Sequence, residues 1–231
     1  MLSGMTASAQ GIVVNKTDGT KVYYAAEEVE SITTYGYDQT PANPGTAPST
    51  VQAVDLGLSV KWASHNVGAS KPEDYGGYYA WGETEEKGYY DWSTYIHCDG
   101  SDDTCHDIGF NISGTQYDVA HVKWGGSWRM PTQDEINELI DNCTYEWTAL
   151  SGVRGGKFTS RKNGNWIFLP AAGRRWYDVL NDGGSYGYYW SGTLYESYAS
   201  GAYSLSFYSG SIYWDTWDYR YGGPSVRPVT E

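Results

Sequence analysis

The last 58 residues, 174–231, hold 16 aromatic side chains but only seven of Ile, Leu, Val and Met, and no lysine follows Lys162. A chain with such an ending cannot build an aliphatic, helical core there. It has to pack rings against glycines in short strands and turns. The whole sequence shares the bias, with 29 Gly, 23 Tyr and 11 Trp among 231 residues against 4 Phe. Tyr and Trp join a large contact area to a polar atom that still seeks water or a ligand. Short apolar runs punctuated by glycine read as strands and turns.

The strand patterns are local. Tyr203, Leu205 and Phe207 alternate with Ser204, Ser206 and Tyr208, one face in and one face out. Further strands are read at 166–169, 188–191, 211–214 and 225–229, and an apolar strand at 54–62 with Leu56, Leu58, Val60 and Trp62 alternating. The best helix signal is Thr132-Gln133-Asp134-Glu135, a capping box directly after Pro131. Ile136, Leu139, Ile140 and Cys143 then share one helical face. Ser70 and Glu73 form a second such box with Pro72 in the first turn, predicting another short helix. Trp124 to Trp128 read as a turn between strands. Two helices among antiparallel strands and long structured loops make the expected class α+β.

Four segments are expected. Residues 1–10 contain Ala7-Ser8-Ala9, the small-residue pattern before signal-peptidase cleavage, and read as the remnant of a signal peptide. Residues 11–37 read as a β-hairpin appendage turning at Asp18-Gly19, with Val29 and Ile32 continuing its β character. Such a short piece buries little alone, so it is expected to pack on the main domain or on a neighbouring subunit. Residues 38–50, with three prolines, read as a linker, and 51–231 as the main domain. Within it, residues 71–107 carry ten acidic side chains against Lys71 and Lys87 and are expected to be irregular and solvated.

The net charge of −13 excludes the basic footprint that nucleic acids require and disfavours adsorption to anionic membranes. No run reaches the ~18 apolar residues of a membrane-spanning helix, so no membrane insertion is expected. Cys98 and Cys105 bracket CDGSDDTC and are expected to close a short disulfide in an oxidising compartment; Cys143 is left as a small buried hydrophobe. Localisation is expected to be secreted or at the cell surface.

Four ordered stretches carry a resemblance: VDLGLSVKWA at 54–63, YYAWGET at 78–84, HVKWGGSWRMPT at 121–132, and YYWSGT with SVRPV at 188–193 and 225–229. Together they resemble the Fibrobacter succinogenes major paralogous domain family over about residues 54–230. That family is related to the C-type-lectin fold, as are formylglycine-generating enzymes and the variable proteins of diversity-generating retroelements. The resemblance implies two helices and a twisted antiparallel sheet with the first and last strands paired. It implies a domain of secreted gut-bacterial proteins. RMPTQDEINEL also looks like the R-L-P-T-E-x-E-W-E stretch of the formylglycine-generating enzymes, but their chemistry needs cysteines near the C-terminus, and none follows Cys143 here.

No catalytic residues, no cofactor and no metal site are expected. His65, His97, His106 and His121 show no H-x-x-x-H spacing. Asp99, Asp102, Asp103 and Asp107 lack the EF-hand spacing and read as a solvated acidic loop. The lectin calcium motifs Glu-Pro-Asn, Gln-Pro-Asp and Trp-Asn-Asp are missing, as is a G-x-S-x-G nucleophile elbow.

What remains is the aromatic C-terminal region. Trp176, Tyr177, Tyr195, Tyr198, Tyr213, Trp214, Asp215, Trp217, Asp218 and Tyr219 lie among Asp, Ser and Gly and are the expected ligand-binding residues. Rigid aromatic anchors between small polar groups have the composition of a paratope. Retroelement variable proteins carry their diversified residues in this same part, which the resemblance would place at positions including Trp176, Leu194, Tyr195 and Asp215. The expected function is a non-catalytic ligand-binding or adhesive module for a glycan or protein. The alternatives are a subunit of a pilus-like surface assembly and, least favoured, an enzyme of the formylglycine-generating superfamily.

Overall fold

The computed structural model describes the backbone of Ile12–Asn15 and Lys21–Tyr24, and residues 45–231 apart from the side chains of Trp214 and Asp215. The chain divides into two compact units, Met1–Thr40 and Pro41–Glu231. In the first, β1 (Ile12–Asn15) and β2 (Lys21–Tyr24) pair antiparallel with Val14 opposite Val22. Residues 1–10, read as a signal-peptide remnant, the expected turn at Asp18-Gly19, Val29, Ile32 and residues 38–44 of the expected linker lie outside the described residues.

The second unit is α+β, mostly antiparallel strands with two helices among the described residues. It takes in part of the stretch read as linker. The Gly45 N–H donates to the Val122 carbonyl at 2.8 Å, and Ala47 packs on the core. β3 (Ala53–Val54) and β4 (Lys61–Ala63) follow, and the chain end returns to pair with β4, setting Val229 opposite Trp62. The run 54–62 is therefore not one strand. The Asp55 carboxylate accepts the Gly57 N–H at 2.7 Å and Gly57 takes φ +69°, so a turn interrupts the pairing while Leu56 and Val60 still reach the core.

The helix expected after Ser70 is also absent. The carboxylate that gathers the Ser70 and Lys71 N–H groups belongs to Asp74, not Glu73, and it closes a local turn. A side chain that satisfies backbone donors this way competes with helix formation. The first helix instead is α1 (Val119–Trp124), capped by Asp118. Asp118 is fully buried and accepts four backbone N–H groups, from Gly114, Ala120, His121 and Met130. One carboxylate thus ends a loop, starts a helix and anchors the segment beyond. The stretch 124–128, read as a turn between strands, is the exit from α1, where Gly125 at φ +62° donates its N–H to His121.

α2 (Gln133–Asn142) forms as the capping box predicts: the Thr132 hydroxyl accepts from the Glu135 N–H while Glu135 reaches back to the Thr132 N–H. Ile136 and Leu139 are buried, and Cys143 opens the next strand. β5 (Cys143–Leu150) and β6 (Val153–Ser160) form a hairpin that periodicity did not predict, turning at Ser151 and Gly152, both with positive φ. β7 (Trp166–Pro170) completes this sheet. β8 (Arg174–Trp176) pairs with β9 (Val179–Asn181). β10 (Tyr186–Leu194), β11 (Gly201–Tyr208) and β12 (Ser211–Tyr219) make another three-stranded antiparallel sheet, beside those of β3, β4 and the chain end and of β5–β7. Of the strand read at 225–229 only β13 (Val229–Thr230) is regular; Ser225 makes a single bridge to Tyr189.

Three buried clusters hold these parts together. Under α2, Ile136 and Leu139 meet Phe158, Tyr189, Leu205 and Phe207. Beside α1, Trp81, Trp124 and Trp190 pack with Met130 and Val226. The third draws Tyr78, Tyr90, Tyr95 and Cys98 from residues 71–107, so that segment is irregular but not solvated. Its carboxylates stay at the surface or in ion pairs such as Glu83–Lys87, while its rings turn inward.

Cys98 and Cys105 are joined by a disulfide, and Cys143 is buried and free. Burial pushes the Cys143 thiol up to about 11, so little thiolate forms at neutral pH. Unreduced native protein should therefore react with a thiol reagent barely at all, and denatured unreduced protein should show one thiol. Three thiols after denaturation would disprove the bridge.

Candidate functional site

The β10–β12 sheet and the turn between β10 and β11 carry two exposed rings, Tyr198 and Tyr213, beside the half-buried Tyr186, Tyr188, Tyr195, Trp217 and Tyr219. β12 contains a bulge: Tyr213 pairs with Ser206 and Thr216 with Ser204, so Trp214 and Asp215 together face the single residue Leu205. The Trp214-to-Trp217 spacing, which breaks strand alternation, is the mark of that extra residue. Beyond it Trp217 lies opposite Tyr203.

Trp217, Tyr195 and Tyr198 form one group. Their planes lie within 25° of one another and the three centroid separations are 5.4, 5.6 and 6.1 Å. In a pillar of stacked rings the outer two would stand about twice the pair spacing apart. These three are instead offset side by side, like shingles, and present a broad tile of ring surface. Tyr198 is 58% exposed. The tile is built by the turn between β10 and β11, where the Tyr195 N–H donates to the Gly201 carbonyl and the Gly201 N–H to the Tyr198 carbonyl. Gly201 has no substitute here, since a Cβ would meet the Trp217 ring at 2.7 Å.

The aromatic surface continues from the tile. Tyr219 stands nearly perpendicular to Trp217 and stacks on Tyr221, and Trp176 lies against both. Tyr177, held at φ +55°, and Tyr89 are both exposed and touch at 5.6 Å between centroids. A second row runs through Tyr188, Tyr186, Tyr208 and exposed Tyr213, each ring stacked on the next. Arg174 joins the rows, its guanidinium 5.0 Å from the Trp176 ring centre and 4.5 Å from that of Tyr188.

Of the residues expected to bind ligand, Tyr177, Tyr198 and Tyr213 are exposed, and Trp176, Tyr195, Trp217 and Tyr219 are half-buried with ring contacts to one another. The side chains of Trp214 and Asp215 lie outside the described residues. Asp218 is a correction. It is 4% exposed and ion-paired with Arg174, so it holds the surface from beneath instead of being displayed on it. Burial raises its carboxyl while Arg174 pulls the other way. Tyr186, Tyr188, Tyr208 and Arg174 were missed by the sequence reading, although Tyr186 and Tyr188 alternate with the inward Gly187 and Tyr189.

The histidines and the acidic loop are engaged in local contacts. His97 is buried with Nε2 3.0 Å from the Gly82 carbonyl oxygen, and burial pushes its pKa down to about 4. Asp99 lies 3.1 Å from His106, and Asp107 accepts the Gly109 N–H. Among the described residues no three His, Cys, Asp or Glu side chains gather as metal ligands, and no helix is long and apolar enough to cross a membrane. In comparisons with protein-family models, curated proteins and solved structures, none matched the chain.

Proposed function

We propose that residues 45–231 form a non-catalytic binding module, displayed outside a bacterial cell, whose ligand docks on the aromatic surface of β10–β12. The observation that carries this reading is the tile of Tyr195, Tyr198 and Trp217, with 58% of Tyr198 left open to solvent. Large rings held rigid at a surface lose little entropy on binding and commonly act as anchors. The disulfide fits an oxidising compartment. Two helices, antiparallel sheets and the pairing of β4 with the chain end agree with the C-type-lectin-like fold that the sequence resemblance implies.

The test pairs melting temperature with binding to a glycan and host-protein array for Tyr198→Ala and Trp217→Ala. Each should weaken binding by about 1–3 kcal/mol and leave the melting temperature of Tyr198→Ala unchanged. Array signals that persist undiminished in both variants would refute the proposal.

A further inference from the structure

Beside the tile lies a cleft of about 470 Å³ whose lining differs in kind from the aromatic surface. Small-molecule sites typically occupy about 300–1,000 Å³. Asp134 and Asn137 approach it from successive turns of α2, Asn111 from the loop before α1, and Glu196 from the turn that builds the tile. Thr132, Gln133 and Thr193 and two rings, Phe110 and Tyr203, also line it, and Phe110 is 53% exposed.

The hydrogen-bonding capacity of this lining is specific. Asn111 spends its Oδ1 on the Ser113 N–H, and Asn137 its Oδ1 on the Gln133 side-chain amide. Their Nδ2 groups remain as donors, and Asp134 and Glu196 remain as acceptors. An anionic ligand would face two carboxylates, with no lysine or arginine among the described lining residues to compensate. An aliphatic peptide anchor would find no Val, Leu, Ile or Met among the described lining residues. Hydroxyl groups, each both donor and acceptor, match a lining of amides and carboxylates, and the flat apolar face of a sugar ring matches the exposed Phe110. Asp134 and Asn137, three residues apart on one helical face, are spaced to hold adjacent hydroxyls.

The cleft is also continuous with the tile. Tyr203 on its wall meets the Tyr195 ring edge-on at 5.0 Å, and Glu196 directly follows Tyr195. We infer that the ligand is a neutral oligosaccharide, one unit held by the polar cleft at the α2 N-terminus while the next lies across the ring tile. This rests on the binding-module reading and adds the ligand class and a second subsite.

The experiment is affinity electrophoresis of the full chain in native gels cast with neutral polysaccharides: β-glucan, xylan, mannan and galactan. Wild-type protein should be retarded in at least one gel. Glu196→Gln and Asn137→Ala should each weaken retardation about tenfold without lowering the melting temperature, and Trp217→Ala should weaken it by a similar factor. Glu196 is exposed and only its charge is removed, so that variant will fold. Retardation abolished by Trp217→Ala but untouched by both cleft variants would overturn the cleft subsite and leave the tile. No retardation in any gel, with Trp217-dependent binding to a protein array, would overturn the saccharide class and leave the binding module. No binding in either format would sink both.

Discussion

Replacing Arg227 by Met should destabilise the domain by at least about 3 kcal/mol, because each of three buried acceptors left unpaired costs about 1–3 kcal/mol. Arg227 is 1% exposed and has no carboxylate partner. Its Nε donates to Asn66 Oδ1 at 2.8 Å, one terminal nitrogen to the Ala63 carbonyl at 3.1 Å, and the other to the Phe168 carbonyl at 2.9 Å. It thereby ties the end of β4 to β7, while Asn66 carries the network on to the Tyr75 carbonyl and the Tyr189 hydroxyl. The cost of burying the cation is visible in its pKa, pushed down to about 10. Lysine cannot stand in, since a single ammonium lacks the planar fork that reaches separate acceptors. At about 2–4 °C per kcal/mol for a domain of this size, Arg227→Met should melt on the order of 10 °C below wild type. Arg227→Lys should recover only part of the difference. A fall of under about 2 °C for Met would mean that the cavity collapses or hydrates and the network is not structural.

Arg227 also marks where reading the sequence stops. An arginine between Val226 and Pro228 stands out in an apolar run, but the carbonyls that receive it come from residues far away in the chain. The same contrast runs through the fold. α2 was legible because its capping box and apolar face are local and agree with each other. The helix at Ser70 failed because Asp74, one residue past the expected partner, took the donors. The β5–β6 hairpin was hidden because Gly155 and Gly156 break its apolar pattern. Those glycines exist to admit neighbours: a Cβ on Gly155 would meet the Leu169 carbonyl oxygen at 2.3 Å, and one on Gly156 the Tyr145 ring at 2.7 Å. Such close approaches are tertiary facts and leave no periodic trace.

The site was half legible for a related reason. Ring density marked the right region, but composition alone does not sort rings by exposure. Asp218 among exposed-looking aromatics reads like a display residue until Arg174, 44 positions earlier, is found folded over it. Conversely, the acidic segment 71–107 reads as solvated because charge dominates its count, whereas three of its tyrosines are almost fully buried. A tyrosine can sink where an acidic neighbour cannot, provided that its hydroxyl finds an acceptor.

Those hydroxyls make the protein sensitive to alkali. Tyr90 donates to the Tyr78 carbonyl at 2.6 Å, Tyr95 to Trp81 at 2.6 Å, Tyr78 to Ala172 at 2.7 Å and Tyr189 to Pro170 at 2.6 Å. A phenolate could not donate and would set its charge against the carbonyl oxygen. Burial accordingly raises these four and also Tyr79 and Tyr221 above the ordinary value of 10.0, with Tyr90 pushed up to about 12. A group whose folded pKa is raised contributes stability that is whole below the unfolded pKa and lost as pH climbs through the folded one. The unfolded chain gives up these protons from pH 10 upward while the native state still holds them. Arg227, lowered from 12.5 to about 10, and Lys87, lowered from 10.5 by burial, work in the opposite direction, but they are two groups against six. Even a single unit of elevation for each tyrosine amounts to about 8 kcal/mol, comparable with the about 5–15 kcal/mol that holds a whole domain together. The melting temperature should therefore hold to about pH 9, slip slightly as the unfolded Cys143 thiol ionises, and fall steeply beyond pH 10, with cooperative unfolding complete by pH 12. Tyrosinate absorbance from the buried rings should rise in the same step in which near-ultraviolet circular dichroism is lost. A gradual rise in tyrosinate with the dichroism intact at pH 12 would show that the native state accommodates buried phenolates and that these hydroxyl bonds are not what limits its alkaline stability.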